Sequence, residues 1–190
     1  MNGPNSRGNA SRSHDKSVRV ATHAPLVTEL LRCFTSPVSV LEHGMGISST
    51  PLFHSMPEVL QIVSLEDDPR WSTCQVCVSK QSNKQHTVKR YESDEDVRQI
   101  LSLHSIDFVL VDGPSSQRLD VLRIALQSHV SVIVEHDSET HSHTELSERQ
   151  HLARCFGYEA HISTTRNPET SFYVRDSRFI SGVSDSLVVL

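Results

Sequence analysis

The stretch Val38–Pro51, VSVLEHGMGISSTP, decides the fold. It begins with a β-branched, apolar run of the kind that forms a buried strand, and it then turns through Gly44 and Gly46. Thr50 followed by Pro51 is typical of a helix start, with Thr50 as the N-cap residue and Pro51 in the first helical position. A strand, a glycine-rich turn and a helix N-terminus therefore follow one another directly.

The same alternation continues on both sides of this stretch, as the spacing of apolar residues and the positions of Pro and Gly indicate. The predicted strands are Val38–Gly44, Val59–Glu66, His86–Glu92, Asp107–Gly113, Val130–Asp137, Tyr158–Thr164 and Ser171–Asp176. The predicted helices are Ala24–Phe34, a short one from Thr50 to before Pro57, Asp68–Ser82, Asp94–Leu103, Arg118–Gln127 and Thr144–Phe156.

This order of elements predicts an α/β fold: a Rossmann-like, doubly wound, mainly parallel sheet of about seven strands. Continuous apolar runs such as DFVLVDG, residues 107–113, indicate strands that are covered on both faces. A short turn through Asn167-Pro168 joins the last two strands, which should therefore form an antiparallel pair. The final residues, SGVSDSLVVL, either add an edge strand or pack on a neighbouring surface.

Length and composition limit the class of protein. The 190 residues fit one domain, residues 18–190, after a disordered tail at residues 1–17 that is rich in Asn, Ser, Gly and Arg. The net charge of -5 and the absence of lysine after Lys89 argue against strong nucleic-acid binding. No apolar run is long enough to span a membrane. The four scattered cysteines suggest reduced thiols and a cytoplasmic location.

Ligands of such sheets bind at the carboxyl ends of the strands, near the point where strand order reverses. The loops to examine are Glu42–Ser49, Glu66–Asp68, Glu92–Asp94, Asp112–Ser115 and Glu135–Ser138. Gly44 and Gly46 allow backbone to approach a ligand, and the helix start after them supplies unpaired N–H groups, as in nucleotide-type cofactor sites. A tight turn that simply needs glycine is the alternative.

Two acidic residues narrow the choice of cofactor. Glu66 follows the second strand at about the spacing that brings a carboxylate to a ribose diol, where it would repel a 2'-phosphate and disfavour NADP. A solvated loop residue is the alternative for Glu66. Glu42 stands two residues before the first glycine, where dinucleotide folds usually carry a small or apolar residue. The amino group of S-adenosylmethionine needs an anionic neighbour of this kind.

With LEHGMGISST, VSLEDDPRW and DFVLVDGP, the chain resembles the class I S-adenosylmethionine-dependent methyltransferases over about Val38–Asp176. Within them it is similar to a branch of small, sugar- or small-molecule-directed enzymes. The resemblance implies methyl transfer from S-adenosylmethionine to a hydroxyl of a small molecule or sugar. Alternatives that stay open are a non-catalytic methyltransferase-like binding or scaffold module and an NAD-dependent enzyme. The oligomeric state is not predicted.

The resemblance also implies a set of cofactor contacts. Gly44 and Gly46 would lie beneath the cofactor and Glu42 near its methionine amine. Glu66 would bind its ribose. The cofactor-binding residues that the resemblance implies are Glu42, His43, Gly44, Gly46, Ser48, Glu66, Asp67, Ser93 and Asp112. Among them, Asp67 and Ser93 would lie near the adenine, and Ser48 stands where the family usually has a third glycine. His43 either hydrogen-bonds a ligand or is an inert loop residue.

The segment Asp112–Ser115 is where this superfamily meets its acceptor. No aromatic residue follows Asp112, which disfavours methylation of base amines. Hydroxyl acceptors and small-molecule amines remain, and a hydroxyl acceptor needs a base to remove its proton. The candidate bases are Asp112, His136 and Asp137, with His136 preferred because it titrates near neutral pH. Arg118 either clamps an acidic group of the acceptor or pairs with a carboxylate such as Asp120.

Metal binding is not predicted, although two arrangements resemble metal sites. Asp112 and Asp137 resemble two carboxylate ligands of the cation-dependent O-methyltransferases, but the Asn of that family's Asp-Asn pair is Ser138 here. A magnesium site would need His136 or Glu135 as a substitute ligand. The run Glu135–Asp137 with His141 and His143 also looks like a transition-metal cluster, but twelve histidines make chance clusters common. The pair Cys74 and Cys77 supports no zinc or redox site.

Overall fold

The computed structural model describes residues 23–73, 82–137, 142–163, 170–183 and 187–189. The strands are β1 (Val38–His43), β2 (Val59–Glu66), β3 (Gln85–Arg90), β4 (Phe108–Val111), β5 (Val132–His136), β6 (Glu159–Ser163), β7 (Thr170–Val174) and β8 (Leu187–Val189). The helices are α1 (Ala24–Arg32), α2 (Ser49–Ser55), α3 (Asp94–Leu103), α4 (Ser115–Gln127), α5 (His143–Cys155) and α6 (Arg178–Ser181), and residues 69–73 are also helical. The tail at 1–17, Cys74, Cys77, His141 and the turn at Asn167-Pro168 lie outside the described residues.

The strands form one sheet in the order β3-β2-β1-β4-β5-β7-β6-β8. The first five are parallel, β7 runs antiparallel to β5 and β6 antiparallel to β7. The predicted mainly parallel sheet with an antiparallel last pair is confirmed. It has eight strands rather than about seven, because Leu187–Val189 pairs antiparallel with β6 at the edge. Strand order reverses at β1, which lies between β2 and β4.

Two apolar layers cover the sheet, one on each face. Successive residues of a strand point to opposite faces, so Val40 and Leu110 pack in one layer and Leu41 and Val109 in the other. The layer of Val40 contains the buried residues of α1 together with Phe53 of α2. The layer of Leu41 contains the buried residues of α3 and α4. This doubly wound arrangement leaves the carboxyl ends of the parallel strands as one shared edge.

The largest differences between predicted and observed helix starts are at α2 and α4. The N-cap residue of α2 is Ser48, not Thr50. The Thr50 hydroxyl instead donates to the Glu42 carboxylate at 2.9 and 3.0 Å. The side chain that was expected to cap the helix is therefore engaged in a tertiary contact. The helix predicted from Arg118 begins at Ser115, directly after Pro114, whose extended backbone separates it from β4.

Candidate functional site

A cavity of about 330 Å³ lies at the carboxyl ends of β1, β2 and β4, beside the reversal of strand order. Its volume is in the range of small-molecule sites, about 300–1,000 Å³. The described residues that line it are Gly44, Met45, Glu66, Asp67, Asp68, Trp71, Asp112, Gly113 and Pro114. Three of the strand-end loops that the sequence singles out therefore meet in one cavity.

The loops after β1 and β4 touch through two glycines. Gly44 has a φ of +86°, and a Cβ there would lie 2.5 Å from the backbone nitrogen of Gly113. A Cβ on Gly113 would in turn run into the ring of His43, and one on Gly46 would lie 2.9 Å from Ser49 Oγ. The packing of the chain on itself thus accounts for Gly44 and Gly113, whereas at Gly46 the only close neighbour is the Ser49 hydroxyl, which can rotate away. The contact between Gly44 and Gly113 builds the base of the cavity.

Glu66 joins the loops after β1 and β2. Its Oε2 accepts a hydrogen bond from the Met45 N–H at 2.7 Å and its Oε1 one from the Asp68 N–H at 2.8 Å, and only 7% of the residue is exposed. Burial and the adjacent Asp67 carboxylate raise the pKa of Glu66. A carboxylate has about four acceptor positions. Two backbone donors therefore leave Glu66 capacity for hydroxyl groups of a ligand.

Glu42 lies behind the glycine loop and is not among the residues that line the cavity. Its carboxylate accepts from Thr50 and from the Ser64 hydroxyl at 2.7 Å. Ser64 Oγ lies 2.9 Å from His86 Nε2, and His86 Nδ1 lies 2.9 Å from His54 Nε2. Burial raises the pKa of Glu42 to about 7 against the lowering effect of the hydroxyl bonds. This buried polar chain ties α2 to β1, β2 and β3.

Four other residues of the predicted set are not brought to the cavity wall. His43 is buried, with its Nε2 3.1 Å from Gln117 Oε1. Gly46 and Ser48 lie at the start of α2, and Ser93 is an exposed N-cap residue of α3. The cofactor roles assigned to these residues and to Glu42 stay predictions.

The three candidate bases lie together at the ends of β4 and β5. Asp112 Oδ1 lies 2.9 Å from His136 Nδ1, and Asp137 Oδ1 lies 3.3 Å from the same nitrogen. Asp137 has a φ of +57°, a conformation that Asp tolerates better than most residues. Burial lowers the pKa of His136, but the Asp112 hydrogen bond and the two carboxylate charges outweigh it, so that the net shift is upward.

Arg118 of α4 is buried and holds the cluster of Asp112, His136 and Asp137 in place. Its Nε donates to the Gly113 carbonyl and its Nη1 to the His136 carbonyl, both at 2.7 Å. Its Nη2 lies 3.3 Å from Asp137 Oδ2. Of the two interpretations of Arg118, pairing with a carboxylate is observed, but its partners are Asp112 and Asp137, whereas Asp120 pairs with Arg123.

Neither a protein-family model nor a curated protein sequence matches the chain. Solved structures do. An O-methyltransferase from Bacillus cereus in complex with SAH is 16% identical with a TM-score of 0.61, over 85% of this chain and 83% of that one. The precorrin-6y C5,15-methyltransferase from Geobacter metallireducens is 16% identical with a TM-score of 0.58, over 80% and 85%. Spermidine synthase from Thermotoga maritima is 11% identical with a TM-score of 0.53, over 85% and 61%.

The chain has the class I methyltransferase fold. At such low identities the likeness establishes the fold, and a synthase among the neighbours shows that this fold also carries a protein named for another reaction. Within the described part of the chain, none of the helices combines the length and apolarity that crossing a bilayer requires.

Glu135 lies on the opposite side of the methyltransferase-fold sheet from His136. Its carboxylate binds Arg149 Nε at 3.0 and 3.1 Å and accepts from the Tyr173 hydroxyl at 3.1 Å. Because neighbouring residues of a strand face opposite sides, Glu135 cannot join His136 in one metal site. Glu135 therefore does not take part in the arrangement of Glu135–Asp137 with His141 and His143 that resembles a transition-metal cluster, and His141 lies outside the described residues.

His23 belongs to the cluster although the sequence reasoning missed it. This residue precedes α1 and is only 4% exposed, and its ring centroid lies 4.3 Å from that of His136, edge to face. Ligating atoms of His23, Asp112 and His136 lie within 4.8 Å of one another. Packing of α1 against the sheet brings His23 there. No spacing motif near Ala24 could have revealed a contact across so much of the chain.

Proposed function

We propose that this protein is an S-adenosylmethionine-dependent methyltransferase that acts on a hydroxyl group of a small molecule or sugar. The observation that carries the proposal is that Asp112 belongs both to the cavity wall and to the cluster of candidate bases. It lines the cavity that Glu66 also lines, and it is hydrogen-bonded to His136. A cofactor site and a group able to take up a proton therefore adjoin.

The charge of the cavity favours this cofactor over a dinucleotide. The described lining contains four carboxylates, those of Glu66, Asp67, Asp68 and Asp112, and neither Lys nor Arg. Such a wall repels the phosphates of NAD and attracts the cationic sulfonium and ammonium groups of S-adenosylmethionine. When bound, S-adenosylmethionine supplies an electrophilic methyl group.

Glu66 and Asp67 would hold the ribose side of the cofactor, and Trp71, which is 37% exposed on the same wall, offers an apolar ring face. Glu42 would act from behind, by holding the first turn of α2 through Thr50. This differs from the direct amine contact that the resemblance implies for Glu42. In both versions Glu42 contributes to cofactor binding, either by direct contact with the amine or by holding the glycine loop through Thr50.

Asp112 and His136 would activate the acceptor. When His136 Nδ1–H donates to Asp112, the ring is fixed in the tautomer whose basic atom is Nε2. The imidazole can then accept the hydroxyl proton, and the charges of Asp112 and Asp137 stabilise the imidazolium that forms. His136 is therefore proposed as the base, with Asp112 as the residue that positions it.

Isothermal titration with S-adenosylmethionine and S-adenosylhomocysteine, with NAD as control ligand, tests the cofactor. We expect micromolar binding of the first two and none of NAD. Glu66→Gln should weaken binding at least tenfold, whereas Glu92→Gln, an exposed carboxylate outside the cavity, should bind as the parent protein does. Thermal melting of both variants checks their folding. Unchanged affinity in a folded Glu66→Gln protein would refute the cofactor site.

A transfer assay with labelled S-adenosylmethionine then tests the reaction against panels of sugars and small hydroxylated molecules. Transfer that His136→Gln abolishes supports the proposed enzyme. Cofactor binding without transfer to any acceptor would favour the alternative of a non-catalytic binding or scaffold module.

A further inference from the structure

Three potential metal ligands from three separate elements converge beside the cavity. His23 comes from the residue before α1, Asp112 from the end of β4 and His136 from the end of β5. One ligating atom of each lies within 4.8 Å of the other two. Two imidazoles and one carboxylate form the ligand type that zinc enzymes and non-haem iron enzymes use.

His23 is the residue that the protein's own hydrogen bonds do not explain. It is almost fully buried, and neither of its ring nitrogens has a hydrogen-bond partner among the described residues. A buried polar atom left unpaired is costly, so native proteins nearly always satisfy such atoms with protein, water or an ion.

We propose that His23, Asp112 and His136 bind a divalent transition-metal ion, for which Zn²⁺ is the reference probe. In a tetrahedral site two ligand atoms, each about 2.1 Å from the ion, are about 3.4 Å apart. The observed 2.9 Å between Asp112 Oδ1 and His136 Nδ1 is within about 0.5 Å of that spacing, so small side-chain rotations would bring both atoms to one ion. Binding at Nδ1 needs the Nε2–H tautomer, so the proton on Nδ1 leaves through solvent and Nε2 takes one up, and two bonds to the ion replace the hydrogen bond to Asp112.

The surrounding charge favours a cation. Asp112 and Asp137 are the carboxylates of the cluster, and the Arg118 guanidinium, 3.8 Å from Asp112, is its one fixed positive charge among the described residues. Arg118 also holds Asp137 in place. The ligand set is therefore not the carboxylate pair of Asp112 and Asp137 that the family resemblance suggests. Nitrogen donors shift the preference from Mg²⁺ toward Zn²⁺, Co²⁺ or Fe²⁺.

Metal binding is measured directly, so its test is separate from that of methyl transfer. A metal at Nδ1 would leave the His136 proton on Nε2, so His136 acts as the base only in the metal-free protein. Tag-free protein is stripped with a chelator and titrated with Zn²⁺ by calorimetry, and with Co²⁺ by visible absorption, which reports ligand geometry. We expect one equivalent to bind tightly, with a shift of the Co²⁺ spectrum and a higher melting temperature. His23→Gln should weaken Zn²⁺ binding by about tenfold or more.

Two controls isolate the cluster. His104→Gln changes a half-buried histidine that contacts Gln61 away from the site, and it should bind Zn²⁺ as the parent does. Glu66→Gln should lose cofactor affinity and keep metal affinity, so that failure of one proposal is distinguishable from failure of the other. A parent protein that binds no Zn²⁺ or Co²⁺, or a folded His23→Gln protein that binds Zn²⁺ as tightly as the parent, overturns the metal site.

Discussion

At the scale of single residues, the close approach of two loops makes Gly44 the most sensitive position of the cavity. Gly44→Ala puts a Cβ 2.5 Å from Gly113 in a left-handed backbone conformation, so we expect a loss of about 3 kcal/mol in the free energy of unfolding. Gly157→Ala is the matched control, because its φ is +77° but nothing lies within 4 Å of the added carbon. It should lose only about 1 kcal/mol in denaturant unfolding. Equal losses would show that the contact with Gly113 is unimportant.

The pH dependence of transfer depends on one hydrogen bond in the metal-free enzyme. Only neutral His136 can accept a proton, and its pKa is raised by its carboxylate neighbours, so the rate should rise with pH through a midpoint above 6.5. Asp112→Asn removes a negative charge and should move that midpoint to lower pH while lowering the rate by about 10²-fold or more. Asp120→Asn, at the partly exposed partner of Arg123, is the control and should leave the pH profile unchanged. A midpoint that Asp112→Asn leaves in place would exclude His136 as the titrating base.

Some site residues could be foreseen from the sequence because of where strands end. Glu66, Asp112 and His136 each come at or directly after a strand, and parallel strands bring their carboxyl ends to one edge. The inward direction of Glu42 could not be foreseen, since it depends on hydroxyl groups of α2 and β2 that approach it only in the fold. The role of His23 could not be foreseen either, since its contact with His136 also forms only in the fold.

At the scale of elements, α4 is fastened to the ends of β4 and β5 by one side chain. Arg118→Met removes the side-chain donor to the Gly113 and His136 carbonyls and the Arg118–Asp137 ion pair, so we expect a loss of about 3 kcal/mol in the free energy of unfolding. Arg123→Met on the same helix breaks only partly exposed ion pairs and should lose less than about 1 kcal/mol. Denaturant unfolding of both variants gives the comparison. A loss for Arg118→Met no larger than for Arg123→Met would contradict this role.

Element boundaries followed the sequence where local signals decide them. The predicted β2 and α3 agree with the structure residue for residue: β2 coincides with its mainly apolar run, and α3 begins after the capping box of Ser93 and Asp96. The start of α2 did not follow it. There Thr50 favours an N-cap position by its residue type, but its hydroxyl forms a hydrogen bond with buried Glu42 instead, so the tertiary contact overrides the local preference.

At the scale of the whole molecule, the order of the strands places the cavity. Because strand order reverses at β1, β2 and β4 lie on either side of β1. Glu66 and Asp112 therefore line the same cavity although they are far apart in sequence. The antiparallel end of the sheet lies beyond β5 and contributes no residue to the described lining. The contact of His23 with His136 adds the segment before α1 to the same region.

The buried polar chain from Glu42 to His54 makes the stability of the whole fold depend on pH. The pKa of Glu42 rises from 4.5 unfolded to about 7 folded, so its contribution is complete below pH 4.5 and is lost as pH rises through 7. That change corresponds to about 3 kcal/mol. Burial lowers the pKa of His54 and His86, which acts in the opposite direction below pH 6.5.

Comparing variants isolates the contribution of Glu42, because parent and Glu42→Gln share both histidines. Glu42→Gln keeps an oxygen for the hydroxyls of Thr50 and Ser64 but cannot ionise. Its free energy of unfolding should therefore fall less between pH 5 and 8 than that of the parent, by up to about 3 kcal/mol. Denaturant unfolding across that range measures the difference, and Glu92→Gln, on the surface, should follow the parent curve. Parallel curves for the parent and Glu42→Gln would mean that Glu42 does not change its charge in the folded protein over this range.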